Sequence, residues 1–321
     1  MNFNRVLAIP FGYVLSAFFA LSGNYILSLF LLTLLVRLIL LPTAIHQQKG
    51  QAKQLRLQPK VNKIREKYAN EGREGQMKIS QETQDLYKKE GYNATTAGCL
   101  PLLLQLPVMM GLYGLIYTPL SNVLHLESTL VTGLTEAVKT IVESASENTS
   151  RLATQLEILV VRYIDQIPQG TVSGLTEDIV AKIHDFGQSF RFFGLDLTLT
   201  TSENKTDWKM WIIPALAVLS SVAVQLYTTL KQRKTQPEAM KGPAMGCMMV
   251  YGPAISGYFS YILPLGVGLY WIMSNVISLI QTVAMSLIYT PSKVIAMQMV
   301  DETVQRRARE KSVKQIKELT S

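Results

Sequence analysis

Cysteine is nearly missing from this sequence: 321 residues hold two, Cys99 and Cys247, and only three histidines accompany them. With no histidine beside either cysteine, neither a metal site nor a disulfide is supported, and both thiols read as small apolar packing residues. Carboxylates are scarce in a more telling way. The chain has 23 Asp and Glu, yet none falls within its five long apolar runs, so paired-carboxylate chemistry inside those runs is excluded. A glycine loop of the phosphate-binding kind is also absent, and no nucleophile stands beside a base, so the sequence does not read as an enzyme or call for a cofactor.

Apolar residues, 48% of the chain, are what it has in plenty, and they come in blocks. Five blocks reach or approach the roughly 20 apolar residues needed to cross a hydrocarbon layer of about 30 Å. They give transmembrane helices at 24–46, 98–118, 208–230, 244–262 and 263–290. Helices are expected because a backbone in lipid must satisfy its own N–H and C=O groups, and the two-residue alternation of barrel strands is absent. Pro101, Pro107, Pro214 and Pro253 lie inside these runs and mark kinks. The expected fold class is an all-α polytopic membrane protein with five transmembrane helices.

Charge placement orients them. Residues 47–97 hold 11 basic and 6 acidic groups, 231–243 hold 4 and 1, and 291–321 hold 7 and 4, whereas 119–207 hold 6 basic and 12 acidic. The three basic segments are separated by even numbers of crossings and the acidic one by an odd number, so the positive-inside rule puts the N-terminus outside and the C-terminus inside. The net charge of +8 is thus first a topological signal.

The segments between the spans have their own patterns. Residues 1–23 read as an outer interfacial amphipathic helix, with Pro10 and Gly12 interrupting it and Phe11, Val14, Leu15, Phe18 and Phe19 dipping into lipid. Residues 47–97 read as a cytoplasmic helical hairpin: Leu55, Val61, Ile64 and Tyr68 recur at helical spacing, Asn70 to Gly75 supplies a turn, and Ser80 caps a second helix carrying Leu86 and Tyr87. The exterior segment 119–207 shows three short amphipathic helices, around Leu130 to Val142, Leu152 to Ile167 and Leu175 to Phe190. His125 and His184 within it are isolated and read as solvated. Residues 231–243 form a cytoplasmic loop. The basic cytoplasmic tail 291–321, with Arg306, Arg307, Arg309, Lys311, Lys314 and Lys317, is either a solvated end or a surface for ribosomal phosphates and anionic lipids.

One charge stands apart. Arg37 is the only ionisable side chain well inside a run, about nine residues or roughly 13 Å from His46 at the expected end of its helix. An arginine near a helix centre costs on the order of 2.5 to 3.5 kcal/mol to insert, and no intramembrane carboxylate is available to offset that. Arg37 is therefore expected to face water, neutral polar groups or a guest bringing negative charge. Thr33 lies one turn away on the same face, and Gln105 and Gln225 lie at comparable depth, which together suggest a wet recess open to the cytoplasm.

Three stretches resemble the conserved helices of the YidC/Oxa/Alb insertases: Thr33 to Pro42 (TLLVRLILLP), Gly98 to Pro107 (GCLPLLLQLP) and Leu263 to Asn275 (LPLGVGLYWIMSN). Phe193 to Leu197 (FGLDL) fits as well. The resemblance implies a bacterial inner-membrane insertase and chaperone that works without ATP hydrolysis. It implies a cytoplasm-open hydrophilic groove bearing Arg37, with Thr33, Gln225 and Trp271 in its lining; Gln105 and Asn275 are expected in the same groove. It further implies that Leu106, Met109 and Leu112 form an apolar slide touched by substrate helices. Nascent membrane proteins, the ribosome, a Sec translocon and anionic lipids are the partners it suggests. The insertion at 127–190 departs from the family pattern, and the lack of a lipobox cysteine means lipoprotein processing is not expected. Two other classes compete on sequence: an anion transporter using Arg37, against which stands the missing inverted repeat, and an intramembrane enzyme, for which no reactive group is found.

Overall fold

The computed structural model describes residues 3–92, 100–144, 152–168, 170–235 and 243–320. Cys99 lies outside them, as do most of the 231–243 loop and the side chain of Cys247. The described chain is all-α apart from one two-residue hairpin. Its helices are α1 (Phe3–Ser22), α2 (Tyr25–Ile39), α3 (Leu41–Lys67), α4 (Gly72–Lys89), α5 (Leu100–Tyr117), α6 (Pro119–Asn122), α7 (Ser128–Ser144), α8 (Leu152–Tyr163), α9 (Glu177–Gln188), α10 (Ile212–Thr235), α11 (Pro243–Ile262), α12 (Leu265–Ile288) and α13 (Pro291–Thr320). Strands β1 (Arg191–Phe192) and β2 (Leu195–Asp196) pair between α9 and α10.

Local chemistry sets the helix ends. Proline opens α6, α11 and α13, where its fixed φ suits the first turn and its missing N–H is not needed. Thr176 caps α9 by accepting from Ile179 N, and Glu177 and Asp178 follow in the first turn, where negative charge suits the helix dipole. Asp207 accepts from Lys209 N at 3.0 Å and so starts the short 3-10 turn Trp208–Trp211 that leads into α10.

The chain forms two compact units. The first is Met1–Ile39, Pro101–Thr229 and Gly242–Leu279. Its core joins α1 and α2 to the 119–207 segment through Leu15, Tyr25, Leu29, Leu134, Val138, Val160, Ile183, Phe186 and Phe190. Three amphipathic helices do form in that segment, as the periodicity expects. Tyr25 stacks on Phe190 with ring centroids 4.2 Å apart, and Phe19 and Tyr25 both meet Phe186 edge-on. Glu157 is buried yet satisfied: its carboxylate accepts from the Ser121 N–H and hydroxyl at 2.9 and 2.6 Å.

Two expectations for the N-terminal helix need correction. α1 runs unbroken through Pro10 and Gly12, and Gly12 is packed so closely on α6 that a Cβ there would stand 2.3 Å from the Asn122 carbonyl oxygen. The Phe11, Val14, Leu15, Phe18 and Phe19 face also has protein packed against it, where lipid alone was expected. Leu15 is buried and the other four pack against the core, because α2 and the 119–207 segment supply the apolar surface that lipid was expected to supply. His125 is exposed, as read from the sequence, and it also stacks on Tyr13 at 4.7 Å with its Nε2 3.1 Å from Ser16 Oγ.

The second unit is Leu40–Leu100, Leu230–Lys241 and Ile280–Ser321. α3 and α4 form a hairpin, and α13 packs along α3. Ala52, Leu57, Val61, Tyr92, Met285 and Val294 are its buried apolar residues among those described, and ion pairs trim its surface. Arg56 donates to both carboxylate oxygens of Glu302 at 2.7 and 3.0 Å. Glu82 accepts from the Tyr68 hydroxyl and from Lys67, which holds its carboxyl below the usual range. Ser80 does not cap the second arm. α4 starts eight residues earlier at Gly72, whose φ of +58° makes the turn, since Arg73, Glu74, Gln76 and Met77 are all good helix formers.

Among the described residues two helices are long and apolar enough to cross a membrane by length and composition, Trp208–Lys234 and Leu265–Ile288. Tyr25–Ile39 and Leu41–Lys67 qualify only if taken together as one span. The expected span 24–46 does not form a single helix: α2 stops at Ile39, because Pro42 has no N–H to give the Leu38 carbonyl and its ring crowds that turn.

Candidate functional site

The end of α2 changes the setting of Arg37. The residue stands in the last turn of its helix, where unpaired carbonyls and the negative end of the dipole favour a cation. That helix ends two residues after Arg37 and does not reach His46.

Arg37 reaches across to α12. Its Nη2 donates to Ser274 Oγ at 2.7 Å and to the Ser274 carbonyl at 3.3 Å. Such charge-assisted bonds are roughly twice as strong as neutral ones. No described carboxylate pairs with the guanidinium, and its Nε and Nη1 are neither bonded to described residues nor sealed off. The side chain is part-buried, and its hydrogen bonds to described residues all run through Nη2.

α12 gathers the remaining polar groups. Gln105 on α5 donates from Nε2 to the Tyr270 hydroxyl at 3.1 Å, and Tyr270 lies one turn from Ser274, on the same helix face. Asn275 turns instead toward α10, donating from Nδ2 to Ser220 Oγ at 3.0 Å. Close packing allows these approaches: a Cβ on Gly268 would stand 2.6 Å from Ile213 of α10, and one on Gly257 of α11 would stand 2.7 Å from Val218. Ser256 then bonds Ser221 at 3.3 Å between α11 and α10.

The other expected residues are placed less uniformly. Thr33 is buried, and its hydroxyl donates back to the Leu29 carbonyl of its own helix at 2.7 Å. Gln225 is half-buried on α10. Trp271 stacks on Phe259 and packs with Ile116, Tyr117, Ile158 and Val267. Along α5, Leu106 is exposed, Met109 half-buried and Leu112 fully inside the core. Sequence reasoning missed Tyr270 and Ser274 as site residues. Their signal was present, since two polar residues four apart on an apolar helix share one face.

Around this cluster the exposed side chains are apolar: Leu216, Leu219, Val222 and Leu226 on α10, and Val276 and Ile280 on α12. Hydroxyls within and large apolar groups without are the pattern of a membrane protein. The 60Kd inner membrane protein family matches residues 17–292, and the chain belongs to that family, the YidC/Oxa/Alb insertase group. The chain is 37% identical over 111 residues to membrane protein insertase YidC 2 of Listeria innocua, and 37% over 111 residues to membrane protein insertase MisCA of Bacillus subtilis. It is 44% identical over 103 residues to membrane protein insertase YidC of Clostridium perfringens. These alignments take in 34, 34 and 32% of this chain and 38, 42 and 41% of the respective relatives, so the chain matches about two fifths of their length.

Proposed function

We propose that the protein is a membrane protein insertase and chaperone, acting without nucleotide hydrolysis in a bacterial inner membrane. The observation that carries this reading is the one-sided hold on Arg37. A guanidinium bonded along one edge to an apolar helix, with no carboxylate partner among the described residues, keeps its charge available to a guest. The names of the relatives support the same activity.

An incoming segment with a short acidic flank is drawn to Arg37 in a groove open to the cytoplasm and lined by Thr33, Gln105, Gln225, Trp271 and Asn275. Tyr270 and Ser274 hold the polar wall in register. Shortening the apolar barrier above the groove lowers the cost of moving the flank outward. Leu106 and Met109 offer the segment's own apolar residues a surface toward lipid, with Leu112 packed behind them. Five crossings, with the N-terminus outside and the C-terminus inside, put α3, α4 and α13 on the cytoplasmic side. There the basic residues of α13 meet a ribosome or anionic lipid, and a Sec translocon is a further partner.

The test is protease protection of a single-span substrate in proteoliposomes. Arg37→Ala is expected to remove most of the protected fragment for a substrate with an acidic translocated flank, and to spare one with an uncharged flank. Arg37→Lys keeps the charge without the paired donors and should fall between. Unchanged protection with Arg37→Ala, in a protein that still folds, contradicts the mechanism.

A further inference from the structure

The hairpin between α9 and α10 carries the wrong residue at its tip for an ordinary turn. Arg191 pairs with Asp196 and Phe192 with Leu195, and Leu197 N closes the hairpin on the Phe190 carbonyl at 3.0 Å. Both turn residues have positive φ, 48° at Phe193 and 78° at Gly194. Glycine takes that conformation freely, and Asn or Asp is the usual companion, whereas an aromatic residue there is strained. Phe193 is also 92% exposed, the highest value for a large apolar side chain among the described residues.

The hairpin beneath it is firmly seated. Phe192 packs against the core, Leu195 is buried, and Asp196 accepts from both the N–H and the hydroxyl of Thr198 at 2.9 and 2.6 Å. The fold therefore holds one ring outward, in a backbone conformation that disfavours it.

The next residues fix where this happens. Gly266 N donates to Leu197 O at 2.9 Å and Leu265 N to Leu199 O at 2.8 Å, at the start of α12. Ser202 N donates to Tyr261 O at 3.0 Å, in the last turn of α11, and the Thr201 hydroxyl to Met210 O at 2.9 Å, just before α10. The stretch that leaves the hairpin is thus laid across the ends of three apolar helices. At those ends stand exposed aromatics: Trp208 at 70%, Trp211 at 45% and Tyr258 at 60%. Trp211 lies against Tyr261 at 5.4 Å, with its indole N–H on the Lys205 carbonyl at 3.1 Å.

Among the described residues α10, with the turn that leads into it, and α12 are the two helices long and apolar enough to cross a membrane, and the ends of helices that cross lie at a membrane surface. Indole and phenol rings gather at that depth because one end of each is apolar and the other polar. We propose that Phe193 is a lipid anchor: the hairpin tip sets its ring among headgroups and upper acyl chains, in one girdle with Trp208, Trp211 and Tyr258. Lipid fits better than a second protein because the ring stands on a two-residue turn and its one recorded ring contact is edge-on with Phe192 of the same hairpin, at 4.6 Å. The exposed Arg191, Lys205 and Lys209 also suit headgroup phosphates. The anchor steadies the polar stretch that covers the helix ends, and it rests on the reading that α10 and α12 cross the membrane.

The test uses the full chain with Cys99→Ser and Cys247→Ser, reconstituted in phosphatidylethanolamine and phosphatidylglycerol vesicles. An environment-sensitive fluorophore is attached through Phe193→Cys, with reference labels through Glu136→Cys on α7 and Leu219→Cys midway along α10. At 193 the label should be quenched more by a nitroxide near the lipid headgroup than by one near the chain end, and should lose most of the iodide quenching seen at 136. Iodide quenching equal to that at 136 overturns the anchor, as does a label shielded from both iodide and lipid, which means protein covers it. Failure of the deep nitroxide to quench at 219 removes the span, and the anchor with it. The unlabelled Phe193→Asn variant should keep or raise its Tm, since asparagine accepts the turn, and a lowered Tm assigns the ring a packing role instead.

Discussion

Along α10 in the first unit the exposed side chains are Leu216, Leu219, Val222 and Leu226, while Ser220 and Ser221 bond to neighbouring helices; along α3 and α4 in the second unit, lysine, arginine and glutamate are outside and Leu57 and Val61 are inside. Both regions are helical, and both bury some leucine. What differs is the solvent each is built for. Where lipid surrounds a helix, burying leucine gains little, and hydrogen bonds with close backbone approach carry the association. Where water surrounds it, apolar burial carries it and exposed ion pairs add little.

The comparison can be broken by substitution. The largest effect is expected at Phe190, fully buried between Tyr25 and Phe186 where the 119–207 segment meets α2: Phe190→Ala should cost about 3–5 kcal/mol in thermal unfolding. Next comes Leu57→Ala in the second unit, at about 2–4 kcal/mol, read as lost hydrogen-exchange protection along α3, α4 and α13. Leu219→Ala, the same truncation on the lipid-facing stripe, should change stability by less than about 0.5 kcal/mol. Comparable costs at 57 and 219 contradict the two-solvent account.

The smallest effect sharpens it. Arg56→Ala should cost less than about 1 kcal/mol and lose even that in high salt, because both partners are partly exposed. Its pH dependence has a definite sign. The hydrogen bond from Arg56 holds the Glu302 carboxyl below its ordinary value, so the pair's contribution is present above that ordinary value and is lost as pH falls through the lowered one. Loosening of α13 on the alkaline side instead would point to a different contact, and hydrogen exchange in α13 across an acid titration separates the two.

The sequence made some of this plain and hid the rest for physical reasons. Apolar runs and their periodicity announced the helices, including the three amphipathic ones within 119–207. Arg37 stood out because a lone charge in an apolar run is costly. Its helix end was visible in Pro42 but was outweighed by the apolar residues that continue past it. The inward packing of α1 could not be read, since an apolar face looks the same whether it meets lipid or protein. Ser274 was marked only by its spacing from Tyr270, and a serine on an apolar helix is as suited to close packing as to holding a guanidinium. The number of crossings rests on more than helix length, and two helices alone pass that test among the described residues.

The central claim is that Arg37, held on one edge by Ser274, faces water on the other. In a background carrying Cys99→Ser and Cys247→Ser, the Arg37→Cys variant can be treated in sealed inverted vesicles with a small charged thiol reagent that does not cross lipid. The account predicts modification at a rate nearer that of an exposed α4 site, Gln76→Cys, than that of the buried Leu32→Cys. Protection at 37 equal to that at 32 would contradict it.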